Sequence, residues 1–152
     1  MIWEGDSTIV EELAQEMDEP DHIVLAVGGG GLFCGVMLGL ENVGWNKCKV
    51  LCAETSGEAK LAKSVEAGYQ VTLDSINTIA TSLGANKLAD KAWEMAQYPN
   101  VSSYVCDDKD ALIGSSRFLY EYRILTEPSC GAALSALNSD QLKDSKNIVF
   151  IV

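Results

Sequence analysis

Four consecutive glycines, Gly28-Gly29-Gly30-Gly31, interrupt an uncharged stretch that runs from Ile23 to Leu40. Before them, His22 to Val27 is a short, nearly continuous apolar run, which predicts a strand covered on both faces. After them, Leu32 to Leu40 reads as a helix ending near Gly44. Glycine takes positive φ without a Cβ penalty and lets another group approach the backbone closely. The segment therefore reads as strand, tight turn, helix. Eighteen uncharged residues also reach the lower limit for a membrane span. A glycine break in mid-bilayer would strand backbone groups in lipid. Asp21 and Glu41 bracket the run, and no Lys or Arg follows until Lys47. No membrane association is expected.

The rest of the chain alternates in the same way. Ser7 to Met17 predicts a helix, with Ile9, Val10, Leu13 and Met17 on one face and Thr8 with Glu11 as a capping box. Lys49 to Ala53 predicts a second buried strand, and Glu58 to Ala67 a helix stopped by Gly68. Asn86 to Tyr98 reads as a helix, Tyr104 to Cys106 as a strand. A helix capped by Asp107 or Asp108 should run to about Leu125, with Leu112, Ile113, Phe118 and Leu119 in the core. Cys130 to Leu137 reads as a helix and Asn147 to Val152 as a last strand. Gly35 and Gly39 lie four apart on one helix face, expected to sit against the sheet. Strands alternating with helices imply βαβ units and a parallel sheet. The expectation is one α/β domain over residues 1–152, a parallel sheet in three αβα layers. Residues 22–27, 49–53 and 147–152 should be neighbouring strands. Ending on an apolar strand is what a truncated piece would do.

Charge narrows the partners. Eleven basic against 22 acidic residues give a net charge of −11. Phosphate backbones and anionic membrane surfaces attract basic faces, so no nucleic-acid or membrane partner is expected. The five cysteines, Cys34, Cys48, Cys52, Cys106 and Cys130, form no CxxC pair, which suits reduced, buried thiols in a cytoplasmic protein. The single histidine, His22, makes a His-based zinc site implausible and reads as structural. The start of the chain, Met1-Ile2-Trp3-Glu4, has no basic region ahead of an apolar one and does not read as a signal peptide.

A glycine turn between a parallel strand and a helix aims several backbone N–H groups at one point beside a helix N-terminus, which makes an anion cradle. Ligands in such sheets bind beyond the carboxyl ends of the strands. The Walker pattern fails, because Gly30 and Gly35 are followed by Val36 and Met37. The dinucleotide pattern fails too, at Phe33 and Cys34. Glu54, at the end of the next strand, nevertheless imitates the acid that holds a ribose. A phosphate or nucleotide module without catalysis therefore stays open as an alternative.

Several motifs together carry a family resemblance: VGGGGLFCGV at 27–36, AETSG at 53–57, SLGANK at 82–87 and EPSCGAAL at 127–134. They resemble the serine/threonine dehydratases, pyridoxal-phosphate enzymes of the tryptophan-synthase-β-like fold. IWEG at 2–5, Trp45 and the Cys after Pro-Ser are similar to the L-serine dehydratase branch. The resemblance implies elimination and deamination of L-serine, or L-threonine, to pyruvate, or 2-oxobutyrate, and ammonia. The substrate would be a small amino acid and the full-length family member a homodimer. The cofactor phosphate would be held by Gly28, Gly29, Gly30, Gly31 and Leu32. A monovalent cation such as K+ would lie among backbone oxygens of Gly28, Glu58, Leu83 and Ala85, with the Glu54 carboxylate near. Relatives have a small residue at position 58, so the Glu58 side chain is expected to point away from such an ion. Cys130 reads as packed rather than nucleophilic, and Glu127 as a turn or helix cap.

The resemblance also implies what this stretch does not carry. The family's Schiff-base lysine sits in a Ser-x-Lys context well before the glycine loop. The lysines here are 47, 49, 60, 63, 87, 91, 109, 143 and 146. All fall on predicted surface helices, strand edges or turns, and none matches the motif. No catalytic residue is therefore assigned within these 152 residues. They read as the phosphate-binding, C-terminal portion of such an enzyme, unable to turn over alone.

Overall fold

The computed structural model describes residues 2–152. Four parallel strands make one sheet: β1 (His22–Ala26), β2 (Lys49–Thr55), β3 (Val101–Cys106) and β4 (Ile148–Phe150), in the spatial order β3-β2-β1-β4. The register runs His22 to Lys49 and Ala26 to Ala53 on one side of β1, and His22 to Ile148 on the other. The three strands expected to be neighbours are neighbours. Among the described residues six α-helices accompany the sheet: α1 (Ile2–Glu16), α2 (Gly31–Val43), α3 (Lys60–Ala67), α4 (Asp90–Met95), α5 (Asp108–Tyr122) and α6 (Pro128–Ser135).

Successive strand residues point to opposite faces, and the core divides accordingly. Ile23, Leu25, Val27, Val50 and Cys52 meet Phe33, Val36 and Leu40 of α2, Leu61 of α3 and Ala92 and Met95 of α4. Val24, Leu51 and Ala53 meet Ala133 of α6, with Ala136 and Leu142 beyond it. Strand β1 is buried on both faces, as its unbroken apolar run requires. Among the described residues no helix is long and apolar enough to cross a membrane. The uncharged stretch is divided between β1, the glycine turn and α2.

Four local expectations need correction. Helix α1 starts at Ile2, so Thr8 and Glu11 form no capping box. Thr8 is inside the helix, its Oγ1 donating to the Gly5 carbonyl at 2.9 Å. Gly35 and Gly39 face α1 rather than the sheet: a Cβ on either would collide with Asp6, or with Ser7 and Val10. In α5 the buried residues are Ala111 and Ser115, while Leu112, Ile113 and Leu119 are exposed. The small residues face inward because α5 crosses α6 closely, with a Cβ on Gly114 falling 2.5 Å from the Gly131 carbonyl oxygen. Finally, Asp107 is the N-cap of α5 without a side-chain cap bond. Its carboxylate accepts from Ser56 Oγ at 3.1 Å, and Asp108 accepts from Thr78 Oγ1 at 2.5 Å and Ile79 N at 3.0 Å. The two acids anchor neighbouring loops instead of capping.

Candidate functional site

Beyond the carboxyl ends of β1 and β4 lies a cavity of about 300 Å³. The glycine turn with Leu32 forms one wall, Ser82 and Leu83 another, and Glu127, Ser129 and Cys130 at the start of α6 a third. A larger cleft, about 420 Å³, opens at the amino ends of the strands beside Glu19, Asp21, His22 and Lys49. Parallel sheets place their ligands at the carboxyl ends, so the smaller cavity is the candidate site. His22 belongs to the other end, where its Nδ1 lies 2.8 Å from Ser145 Oγ, in keeping with a structural role.

The glycine turn is built from both sides. Only Gly30 uses positive φ, at 90°, and it is the N-cap of α2. A Cβ there would strike the Ala92 side chain of α4, behind the loop. The Gly29 carbonyl accepts from Ala89 N at 2.8 Å, which turns it away from the cavity. Gly28 backs onto Leu83, whose Cα would lie 3.1 Å from a Cβ on Gly28. The first α2 hydrogen bond runs from Cys34 N to Gly30 O at 2.9 Å. Among the described residues the amides from Gly29 to Leu32 have no protein acceptor. Such a set of free donors at the start of a 13-residue helix suits an anionic oxygen cluster. The residues fit a cofactor phosphate.

Opposite the turn, Ser82 Oγ donates to Glu127 Oε1 at 2.7 Å and is hydrogen-bonded to Ser129 Oγ. The Glu127 carbonyl accepts from Ser115 Oγ at 2.8 Å and Gly131 N at 3.2 Å. Glu127 is thus the N-cap residue of α6, but its carboxylate reaches across the cavity wall to Ser82 rather than capping. Ser82 and Ser129 were not singled out from sequence. The SLGANK and EPSC motifs contain them, but only the fold brings positions 47 apart into contact. Cys130 is half-buried, its thiol raised by burial and by the Glu127 charge.

Behind the cup, three of the residues expected around a cation, Glu54, Glu58 and Leu83, meet around one side chain, that of Lys60. Lys60, expected on a surface helix, is fully buried. Its Nζ donates to Glu58 Oε2, to the Glu58 carbonyl at 3.2 Å and to the Leu83 carbonyl at 3.3 Å. Glu54 Oε1 lies 3.8 Å away. The Glu58 side chain does not point away: it turns in onto this ammonium, with Oε1 accepting from Thr55 N at 3.0 Å. Burial pushes the Glu58 carboxyl up to about 7, against the opposing pull of Lys60. Ala85 lies beside the same turn, its N donating to Leu83 O at 2.7 Å. With an ammonium already among these oxygens, the set does not fit a free K+. Glu54 is fully buried and accepts from Leu61 N at 2.8 Å and Ala62 N at 2.9 Å. From the end of β2 its carboxylate is spent on the first-turn amides of α3 and is not free for a ribose, which removes the support for a nucleotide.

Comparison with known proteins agrees with this geometry. The family model "Pyridoxal-phosphate dependent enzyme" matches residues 1–152. The chain is 43% identical over 144 residues to "L-serine dehydratase/L-threonine deaminase" of Bos taurus, covering 94% of this chain and 44% of that protein. It is 43% identical over 140 residues to "Serine dehydratase-like" of Mus musculus, covering 91% and 43%. Among solved structures, a fungal L-serine ammonia-lyase from Rhizomucor miehei superposes with a TM-score of 0.91 at 35% identity, over 97% of this chain and 49% of that one. Maize serine racemase gives 0.88 at 31%, over 97% and 48%. The chain spans less than half the length of these relatives. The parallel α/β architecture is that of the tryptophan-synthase-β-like fold. A parallel sheet, a glycine turn with free amides at a helix N-terminus, and a family match along the whole chain lead to one conclusion: this chain belongs to the family of pyridoxal-phosphate-dependent enzymes.

Proposed function

We propose that this chain supplies the phosphate-binding half of an enzyme that deaminates L-serine, or L-threonine, by β-elimination, giving pyruvate, or 2-oxobutyrate, and ammonia. The observation that carries it is the group of unpaired amides from Gly29 to Leu32, facing a cavity of about 300 Å³ at the carboxyl ends of β1 and β4. Gly28, Gly29, Gly30, Gly31 and Leu32 would hold the phosphate of pyridoxal phosphate. When bound, that cofactor supplies an electron sink for the substrate Cα. Gly28 and Gly30, wedged against Leu83 and Ala92, fix the amides in place before any ligand arrives. Ser82, Glu127 and Ser129 form the polar wall opposite. Their mutual hydrogen bonds hold the Glu127 carboxylate at the cavity, where it can accept a proton or a donor group of the ligand. Ile151 and Val152 line the same cavity and give it an apolar side. The likeness to the family also supports a homodimer in the cytoplasm, and the five free cysteines suit a reducing compartment.

No lysine among these residues is placed at the cup, so the chain would bind the cofactor without a covalent bond. The test is titration of the purified protein with pyridoxal phosphate, with inorganic phosphate as competitor, followed by borohydride reduction and peptide mapping. Saturable binding displaced by phosphate, with no saturable pyridoxyl label on a lysine of residues 1–152, is expected. Absence of binding, or binding that phosphate does not displace, would refute the reading.

A further inference from the structure

Lys60 opens α3 with a side chain that reaches no solvent. Around its Nζ stand two backbone carbonyls, of Glu58 and Leu83, and two carboxylates, of Glu58 and Glu54. An oxygen-only shell of carbonyls and carboxylates is the kind that holds a hard cation. An isolated buried ammonium is costly to desolvate, and only paired and hydrogen-bonded surroundings offset this. The chain nevertheless puts one here, at a point where three separate segments meet: the end of β2, the start of α3 and the turn at 81–85.

We propose that the Lys60 ammonium is a tethered monovalent cation that fills this oxygen shell in place of a free ion and makes the protein independent of added potassium or sodium. Lys60 is a positioning residue. Its bond to the Leu83 carbonyl holds the 81–85 turn, and Leu83 is the residue on which Gly28 rests. The ammonium therefore supports the glycine cup from behind. This inference is independent of the cofactor reading, because the shell is complete within the chain and can be probed without cofactor.

The experiment compares the wild-type protein, Lys60→Ser and Lys60→Met in potassium chloride and in tetramethylammonium chloride at equal ionic strength, without pyridoxal phosphate. Wild type should show the same unfolding midpoint in both salts and no bound signal in thallium(I) NMR. Lys60→Ser opens the shell and leaves its oxygens, so it should unfold at lower temperature in tetramethylammonium. Potassium should restore roughly 5–10 °C saturably. Lys60→Met fills the space without charge and should lose stability equally in both salts. A saturable potassium effect on wild type, or a bound thallium(I) signal there, would overturn the proposal. So would a Lys60→Ser variant that responds equally to both salts. If Lys60→Ser does not fold, the two wild-type measurements still decide.

Discussion

Gly39 of α2 lies directly beneath Val10 of α1: a Cβ built on Gly39 would stand 2.7 Å from the Val10 Cβ and 2.7 Å from the Ser7 carbonyl oxygen. Gly35, one turn earlier, meets Asp6 in the same way. The pair allows the two helix backbones to approach closely along one stripe. Gly39→Ala must push α1 off α2 or distort both, which costs roughly 1–3 kcal/mol or more. The unfolding midpoint should fall by about 4–10 °C. Gly5, also in α1, has nothing within 4 Å of its missing Cβ. Gly5→Ala should instead stabilise by about 0.5–1 kcal/mol through helix propensity alone. Calorimetry on the two variants checks the opposite signs.

The glycines of the cup should not respond alike. Gly30 has φ 90° and Ala92 behind it, so Gly30→Val should lose stability and native circular dichroism before any binding can be measured. A Cβ on Gly29 would meet the Ala85 Cβ at 3.7 Å, an ordinary contact. Gly29→Val should therefore keep the fold. Its added methyls crowd one amide of the cup and should weaken pyridoxal phosphate about 10-fold, the worth of one charge-assisted hydrogen bond. Circular dichroism together with cofactor titration separates the two cases.

Burial opposes the charge of the Glu58 carboxyl and pushes it up to about 7 in the folded protein. Its folded pKa lies above the unfolded value of 4.5, so the native state holds this proton over a pH window where the unfolded chain has lost it. Stability from this group is fully present below that window and is lost as pH rises through about 7. Glu58→Gln removes the titration. Between pH 5 and 8, wild type should lose stability relative to the variant. Urea unfolding of both proteins across that range is the measurement. A wild type that gains relative stability with pH would contradict it.

Thiol chemistry should single out Cys130. Burial pushes Cys34 up to about 11 and Cys48 up to about 12, and raises Cys52 and Cys106 as well. All four are buried, while Cys130 is partly accessible. Native protein at pH 8 should take up one iodoacetamide, slowly, at Cys130. The other four should react only on unfolding, as mass spectrometry would show.

The parts of the molecule legible in sequence are those where local pattern and tertiary environment agree. His22 to Ala26 is apolar without alternation because helices cover both faces, so a strand was the only economical reading. The glycine turn was legible because four residues without Cβ have few other uses at the end of such a strand. The α5 face is not legible in sequence, because Leu112 and Ile113 look like core yet are exposed. The close crossing with Gly131 selects Ala111, Gly114 and Ser115 instead. The burial of Lys60 is hidden for a related reason. A lysine is buried only when distant oxygens converge on it, and Leu83, 23 residues away, carries no mark of that in the sequence. Burial of small or charged residues is set by the partner element, which periodicity in one segment does not contain.

The strand order has a consequence of its own. From β1 the chain moves outward to β2 and β3, then returns to place β4 on the other side of β1. The segments leaving β1 and preceding β4 therefore pack on opposite faces of the sheet, α2 on one and α6 on the other. The glycine turn at the start of α2 and Glu127 at the start of α6 therefore line opposite walls of the cavity above β1. The crevice is thus a product of connectivity and would open there whatever side chains lined it. The amino acids at 28–31 decide only which ligand charge it welcomes. A circular permutant that preserved the strand order would be expected to keep the crevice, and with it the cup.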